Sequence, residues 1–238
     1  MKNMTSRQKI LLGCFAMVLA IIGDYLLGFG TFSMTADPNV PMGIAASVVP
    51  DWRYAASSVL GFLCVPLFAI AMLELFRVME KKYGLRDQKL YRLFKIANWG
   101  GILYFAFLHI GLCMLPVVFN AGMEVTGDMA ASVGMMLRVL KSVAVPMVVS
   151  FIVCDGFVAV AWIGMVVKGM LPVGKIALIC NPLMLPGVVG KLVALLPWPV
   201  NQLDHGTESF GHALVLLLGL ILLKHMVKEG EIQNEAQR

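Results

Sequence analysis

Apolar residues occur along the chain in six long runs that are separated by shorter polar segments. Each run is close to the roughly 20 residues that a helix needs to cross the hydrocarbon core of a bilayer. The pattern therefore predicts an all-α, polytopic membrane protein built as a bundle of six transmembrane helices. The predicted helices cover residues 9–30, 55–77, 96–119, 143–167, 176–196 and 205–224.

The polar segments mark the boundaries of this bundle along the chain. A single transmembrane domain is predicted over residues 1–228, followed by a polar C-terminal tail at 229–238. Residues 31–54 form a long loop with three prolines, which is either a lid over the bundle or a plain connector. Residues 128–141 are predicted to form a short interfacial helix with Asp128 as its N-cap, because this helix and the fourth span together are too long for one crossing.

The fifth run contains Asn181–Pro182 and, four residues later, Pro186–Gly187. A proline removes a backbone donor and clashes with the preceding turn of a helix. The spacing predicts a kinked or discontinuous helix. Broken helices of this kind line binding sites in transporters, although a purely structural kink is the alternative.

Lysine and arginine are unevenly distributed between the two sides of the predicted bundle. With the N terminus inside, 15 of the 19 fall on the inner side and 4 on the outer side, and seven of them lie in the loop 77–95. Positively charged loops stay cytoplasmic, so both termini are predicted to be cytoplasmic. We expect a multi-pass protein of a cell membrane, most simply the bacterial cytoplasmic membrane.

Composition agrees with a membrane location and argues against nucleic acid as a partner. The chain is 59% hydrophobic and only 14% charged, against about 25% charged residues in a soluble domain. The basic loop accounts for the net charge of +5, and no nucleotide-binding motif is present. The expected partners are membrane lipids, including the anionic lipids of the inner leaflet, together with a small-molecule or lipid ligand.

Ionisable side chains inside the predicted spans are the candidates for chemistry. Each costs at least about 2.5–3.5 kcal/mol at the centre of a helix in a bilayer, so each must face protein or water. The predicted topology places six of them in the middle-to-outer part of the membrane, where we expect them to line one cavity open to the outside. These residues are Asp24, His109, Asp155, Lys191, Glu208 and His212.

The start of the sixth span, PWPVNQLDHGTESFGH, is unusually polar. On a helix of 100° per residue, His205, Glu208, Ser209 and His212 fall on one stripe. The apolar part that follows is too short to span alone, so this stripe is predicted to extend into the outer leaflet, facing other helices or water.

Three functions are compatible with such a cavity. The first is a metal-dependent hydrolase or transferase that acts on a lipid, with zinc bound by histidines and activating a water molecule. The candidate zinc ligands of such an enzyme are His109, His205 and His212. Its candidate catalytic carboxylates are Asp155, Glu208 and Asp24. Its candidate ligand-binding residues are Lys191, Asn181 and Ser209. The second is a small proton-coupled transporter or a lipid- or solute-binding protein, in which Asp24, Asp155 and His212 take up protons. The third is a non-catalytic structural subunit whose polar groups only lock helices together.

Two resemblances bear on these alternatives. Six helices with dispersed His, Asp and Ser resemble the alkaline ceramidase and adiponectin-receptor superfamily of membrane hydrolases. That family uses a histidine pair at i,i+4 on its last helix, whereas His205 and His212 are seven apart, and no Ser-x-x-x-His occurs in the second span, so no activity is carried over. The first helix, with GDYLLGF at Gly23–Phe29, is similar to that of small, uncharacterised bacterial integral membrane proteins, a resemblance that implies no activity.

Overall fold

The computed structural model describes residues 4–34, 44–46 and 48–236, and helices dominate this part of the chain. In chain order the α-helices are α1 (Ser6–Gly28), α2 (Trp52–Tyr83), α3 (Lys89–Thr126), α4 (Met129–Phe151), α5 (Val158–Val167), α6 (Lys191–Ala194) and α7 (Thr207–Ala236). A π-helical turn, Ile152–Phe157, joins α4 to α5 without a break, and another, Leu185–Gly190, leads into α6. Short 3₁₀ helices cover Leu85–Asp87, Lys175–Leu178 and Val200–Gly206.

Within the described residues, five helices are long and apolar enough to cross a membrane. They are Ser6–Gly28, Trp52–Tyr83, Lys89–Thr126, Met129–Val167 and Val200–Lys224. Their outward faces remain apolar. On α1, for example, Leu11, Phe15, Val18 and Ile22 are exposed along one stripe, which costs little free energy only if lipid covers it. These features identify a polytopic helical membrane protein, and five of the six predicted spans are long helices.

The fifth predicted span is the exception, because residues 176–196 do not form one long helix. The segment contains the 3₁₀ helix Lys175–Leu178, the π-helical turn Leu185–Gly190 and the one-turn α6. The predicted discontinuity is therefore confirmed. Trp162 fixes the first part of this broken segment, since its indole Nε1 donates to the Ala177 carbonyl oxygen at 2.7 Å.

The broken segment packs unusually close to α7 at a glycine. A Cβ atom on Gly211 would lie 2.6 Å from the Asn181 carbonyl oxygen and from Pro182 Cα. Only a residue without a side chain allows the two backbones to approach this closely. The contact at Gly211 therefore places Asn181 and Pro182 beside α7, one helical turn after the start of that helix.

The prediction of a separate interfacial helix at 128–141 is wrong. This region is the first part of a helix that is continuous from Met129 to Val167. Asp128 does cap it as predicted, accepting hydrogen bonds from the amides of Ala130 and Ala131. The reason for the difference is that α3 continues past the predicted end at residue 119, so the start of α4 has a helical partner. The side chains that pack between the two helices are Leu115, Phe119, Val133, Met136 and Leu137.

Two short strands, β1 (Phe32–Met34) and β2 (Ile44–Ala46), pair antiparallel in the loop between α1 and α2. The all-α prediction therefore holds for the bundle but missed this hairpin. Residues 35–43 and 47 of the loop, for which a lid and a connector were the alternatives, lie outside the described residues. Helix α7 extends to Ala236, so the predicted domain boundary at residue 229 does not coincide with a helix end.

The helices are held together by an apolar core and by ion pairs, one of which lies near the start of α1. Helix α1 packs against α2 and α7, and α3 packs against α2, α4 and the π-helical turn Ile152–Phe157. At the Ser6 end of the bundle, the buried Glu74 carboxylate accepts from Lys9 Nζ of α1 at 3.1 Å and from Arg77 of its own helix. We call Lys9, Glu74 and Arg77 the Glu74 cluster.

Candidate functional site

A cavity of about 640 Å³ lies between α1, α3, α4 and the beginning of α7, towards the Gly28 end of the bundle. Its polar lining residues come from four elements, α1, α3, the 3₁₀ helix Val200–Gly206 and α7, and all five are predicted site residues. The wall on the α3 and α4 side is apolar. The polar lining residues are Asp24, His109, His205, Glu208 and Ser209; the apolar wall includes Leu108, Leu112, Leu140, Ala144, Met147 and Val148.

Asp24 connects α1 to two other helices. Its Oδ2 accepts a hydrogen bond from Ser209 Oγ of α7 at 2.6 Å, and its Oδ1 lies 3.7 Å from His109 Nδ1 of α3. The second distance is an ionic contact rather than a hydrogen bond. Asp24 therefore faces the bundle, on the same stripe of α1 as the buried small residues Gly13 and Ala20.

His109 is fixed by the second helix, which the sequence did not indicate. The Ser57 hydroxyl donates to the Gly23 carbonyl oxygen at 2.8 Å, so it can only accept from the histidine. His109 Nε2 therefore carries a proton and donates to Ser57 Oγ at 2.9 Å and to the Ser57 carbonyl oxygen at 3.2 Å. This leaves His109 Nδ1 directed at Asp24, where a second proton would make an imidazolium facing a carboxylate.

Gly61 makes room for the imidazole of His109. A side chain on this glycine would collide with the ring of His109. Ser57, Gly61 and Cys64 are all buried on one face of α2, spaced four and three residues apart. Such a stripe of small residues is the signal that could have identified Ser57, because small side chains mark the face on which another helix approaches.

Asp155 lies deeper in the bundle, in the π-helical turn Ile152–Phe157, and is 0% exposed. Its Oδ1 is 3.2 Å from His212 Nε2 of α7, and the His212 ring also makes an edge contact with Phe68. Glu208 lies one helical turn before His212 on α7, on the side of that helix that faces Asp155. Inserted π-helical turns frequently occur at functional sites, because they redirect one side chain of an otherwise regular helix.

His212 does not share the cavity of His205, although both were placed on one stripe. It lines a separate cavity of about 10 Å³ with Met17, Phe68 and Asn98, a space that suits a single water molecule. The residues from Val200 to Gly206 form a 3₁₀ helix, so His205 is not in α-helical register with His212. The predicted stripe is therefore correct for Glu208 and Ser209 as cavity residues and wrong for the histidine pair.

His205 lies at the rim of the large cavity. Its Nε2 is 3.3 Å from Gln202 Oε1 and its Nδ1 is 3.8 Å from Asp204 Oδ1. The ring packs on α1, where a Cβ on Gly28 would be 2.6 Å from His205 Cγ. Each of the three histidines predicted as zinc ligands thus has an acidic neighbour of its own.

The predicted zinc set is not brought together. Within the described part of the chain, no three His, Cys, Asp or Glu residues are grouped so that they could hold a metal ion. His109, His205 and His212 are instead placed against Asp24, Asp204 and Asp155 respectively. The arrangement does not fit a zinc centre, which needs three protein ligands around one point.

Two of the predicted ligand-binding residues lie outside the large cavity. Asn181 is buried and caps the helical part of the broken segment: its Oδ1 accepts from the amides of Leu183 and Met184, and its Nδ2 donates to the Leu178 carbonyl oxygen. Lys191 is exposed at the start of α6. Ser209, the third predicted ligand-binding residue, lines the cavity and donates a hydrogen bond to Asp24.

The fold and this polar cavity place the chain in the class of multi-pass helical membrane proteins. The chain belongs to the Family of unknown function (DUF6796), which matches residues 1–226. No curated protein and no solved structure matches it. The family description names no activity, so the resemblance to alkaline ceramidases and the bacterial origin both stay predictions.

Proposed function

We propose that this protein binds, within the membrane, one amphiphilic molecule that has a cationic head group and an apolar chain. The observation that carries the proposal is the lining of the 640 Å³ cavity. Two carboxyl groups, two histidines and a serine are its polar lining, apolar side chains form the rest, and no lysine or arginine of the described residues lines it.

The size and the opening of the cavity fit such a ligand. Pockets for small molecules typically enclose about 300–1,000 Å³ and are mostly apolar with a few polar groups. Val148 and Phe151 of α4 line the cavity and are also exposed. The cavity is therefore open on the α4 side, where a molecule dissolved in the bilayer can enter sideways.

The charge of the head group follows from Asp24 and Glu208. Electrostatic forces are strong in a medium of low dielectric constant, so an anionic head group beside two carboxyl groups is repelled and a cation is attracted. Ser209 and Ser57 hold Asp24 and His109 in place from neighbouring helices. The carboxylate at the polar end is thus oriented before the ligand arrives.

We further propose that the Gly28 end of the bundle faces the outside, on the basis of the 15 to 4 distribution of lysine and arginine. Hydrolysis at a zinc centre is not part of the proposal, since the three histidines are held apart.

Binding is tested with the purified protein in phosphatidylcholine nanodiscs and three probes of equal chain length: dodecyltrimethylammonium, dodecanol and dodecanoate. Displacement of a fluorescent alkylammonium should follow the order ammonium, alcohol, carboxylate. Asp24→Asn should weaken ammonium binding by roughly a hundredfold, because the loss of a buried charge partner costs about 2–5 kcal/mol. Glu124→Gln changes an exposed carboxylate on α3 and should leave binding unchanged. Equal affinity for ammonium and carboxylate would refute the proposal.

A further inference from the structure

Acids outnumber bases around Glu208. We call Asp24, His109, Asp155, Glu208 and His212 the Glu208 cluster. Two of its acids face an imidazole, Asp24 with His109 and Asp155 with His212. Glu208, the third, has no histidine, lysine or arginine partner among the described side chains, and its acidic neighbours are Asp155 and Asp24.

Glu208 and Asp155 lie side by side in the low-dielectric interior. Asp155 Oδ2 is fully buried and accepts no hydrogen bond from a nitrogen or hydroxyl donor within the described part of the chain. The acid on α7 closest in sequence to His212 is Glu208, one helical turn away, and His212 contacts the other carboxylate oxygen of Asp155. Two adjacent carboxyl groups in such surroundings do not both ionise, so one proton is shared between them.

The other titratable groups nearby do not alter this charge balance. They are Asp24 and Tyr25 on α1, Cys64 on α2, His109 on α3, and Asp204 and His205 on the 3₁₀ helix before α7. Tyrosine and cysteine are neutral near pH 7. His205 pairs with Asp204 at the rim, so it is not available to neutralise Glu208.

We propose that the proton shared by Glu208 and Asp155 leaves when a cation enters the cavity, so that the site exchanges one cation for one proton. This inference rests on the proposed function, and it adds that binding is coupled to proton release. Glu208 lines the cavity and lies one helical turn from His212, which contacts Asp155, so a cationic head group at Glu208 replaces the proton as the neutralising charge. The proton passes to water in the open cavity, and no covalent bond other than that O–H bond changes.

The exchange is measured by isothermal titration of dodecyltrimethylammonium into the nanodisc-bound protein, in two buffers of different ionisation enthalpy. This probe has no proton of its own to lose. The wild type and Glu124→Gln should each release one proton per cation bound, and Glu208→Gln and Asp155→Asn should release none. Affinity in the wild type should fall as the pH falls, by up to about tenfold per pH unit. Binding of the cation to the wild type without proton release would overturn the exchange and leave the proposed function standing.

A measurement on the protein without a ligand tests the shared proton separately from cation binding. The carbonyl stretch of a protonated carboxyl group should appear in the infrared spectrum of the wild type near neutral pH. It should persist in Glu124→Gln and disappear in Glu208→Gln, where Asp155 is left paired with His212 alone. If the wild type lacks the band, no shared proton exists and the inference fails, whether or not the cation binds.

Discussion

The Glu74 cluster and the Glu208 cluster each contain a buried carboxylate among other ionisable side chains, yet their compositions differ. In the first, a single carboxylate accepts from two cations, Lys9 and Arg77. In the second, three acids share two imidazoles. In the first the acid has basic partners and the 640 Å³ cavity does not reach it, whereas the second borders that cavity.

This difference separates a structural cluster from a site. A compensated ion pair joins helices and gains nothing from a ligand, because every charge already has a partner. A cluster with one uncompensated acid must hold a proton or bind a cation. Whether such a cluster can bind a ligand therefore depends less on the number of charges it contains than on the balance between its acids and bases.

The largest effect on stability is expected for Glu74→Gln. The change leaves Lys9 and Arg77 without a counter-charge, although both retain contact with solvent. We expect a loss of about 2 kcal/mol in the free energy of unfolding, below the 3–5 kcal/mol of a fully buried broken pair. Unfolding in mixed micelles, followed by tryptophan fluorescence, measures the loss, and cation binding should be unaltered. Loss of binding with intact stability would place a ligand role at Glu74 and remove the contrast.

A smaller effect, of opposite sign, is expected for Glu208→Gln. The amide keeps the shape of the side chain and removes a buried acid that has no basic partner. The free energy of unfolding should stay constant or rise by up to about 1 kcal/mol. The same unfolding assay applies, with Glu124→Gln as the matched exposed control. A destabilisation as large as that of Glu74→Gln would show that Glu208 is a structural residue.

The smallest effect is expected for Glu80→Gln, a third carboxylate paired across helices. Glu80 Oε1 accepts from Lys95 Nζ at 2.7 Å and from Tyr91 Oη at 2.8 Å. The Glu80 and Lys95 side chains are both partly exposed to solvent. After the substitution, the glutamine oxygen can still accept a hydrogen bond from Tyr91. We expect a loss of about 0.5 kcal/mol. A loss equal to that of Glu74→Gln would mean that pairing, and not burial, determines the effect.

The position of Asp24 shows how far sequence reasoning reaches within the candidate site. Small residues on one stripe of α1 indicated the face that another helix approaches, and Asp24 lies on that face with Ser209 as its partner. The rule that hydrocarbon cannot solvate charge also indicated that Glu208 and Asp155 would face inward. Both arguments use only local spacing and composition.

The histidines show where such reasoning ended. Nothing in the spacing of His109, His205 and His212 indicates that each would meet a different aspartate. The 3₁₀ helix Val200–Gly206 shifted His205 out of register, and the π-helical turn Ile152–Phe157 rotated Asp155 towards α7. Ser57, an ordinary helical serine by sequence, became the partner of His109 because α2 and α3 happen to cross there.

The sequence by itself determined the membrane class, the positions of five long helices, the break near Pro182 and Pro186, and the identity of the polar groups that must be buried. It could do so because hydropathy, helix period and proline chemistry act over a few residues. Only the tertiary structure decided which acid meets which base, which of them reach the cavity, and that Glu208 is left without a basic partner. Those outcomes depend on how each helix is rotated and how deeply it packs, which is set by contacts between residues as far apart as Asp24 and Ser209.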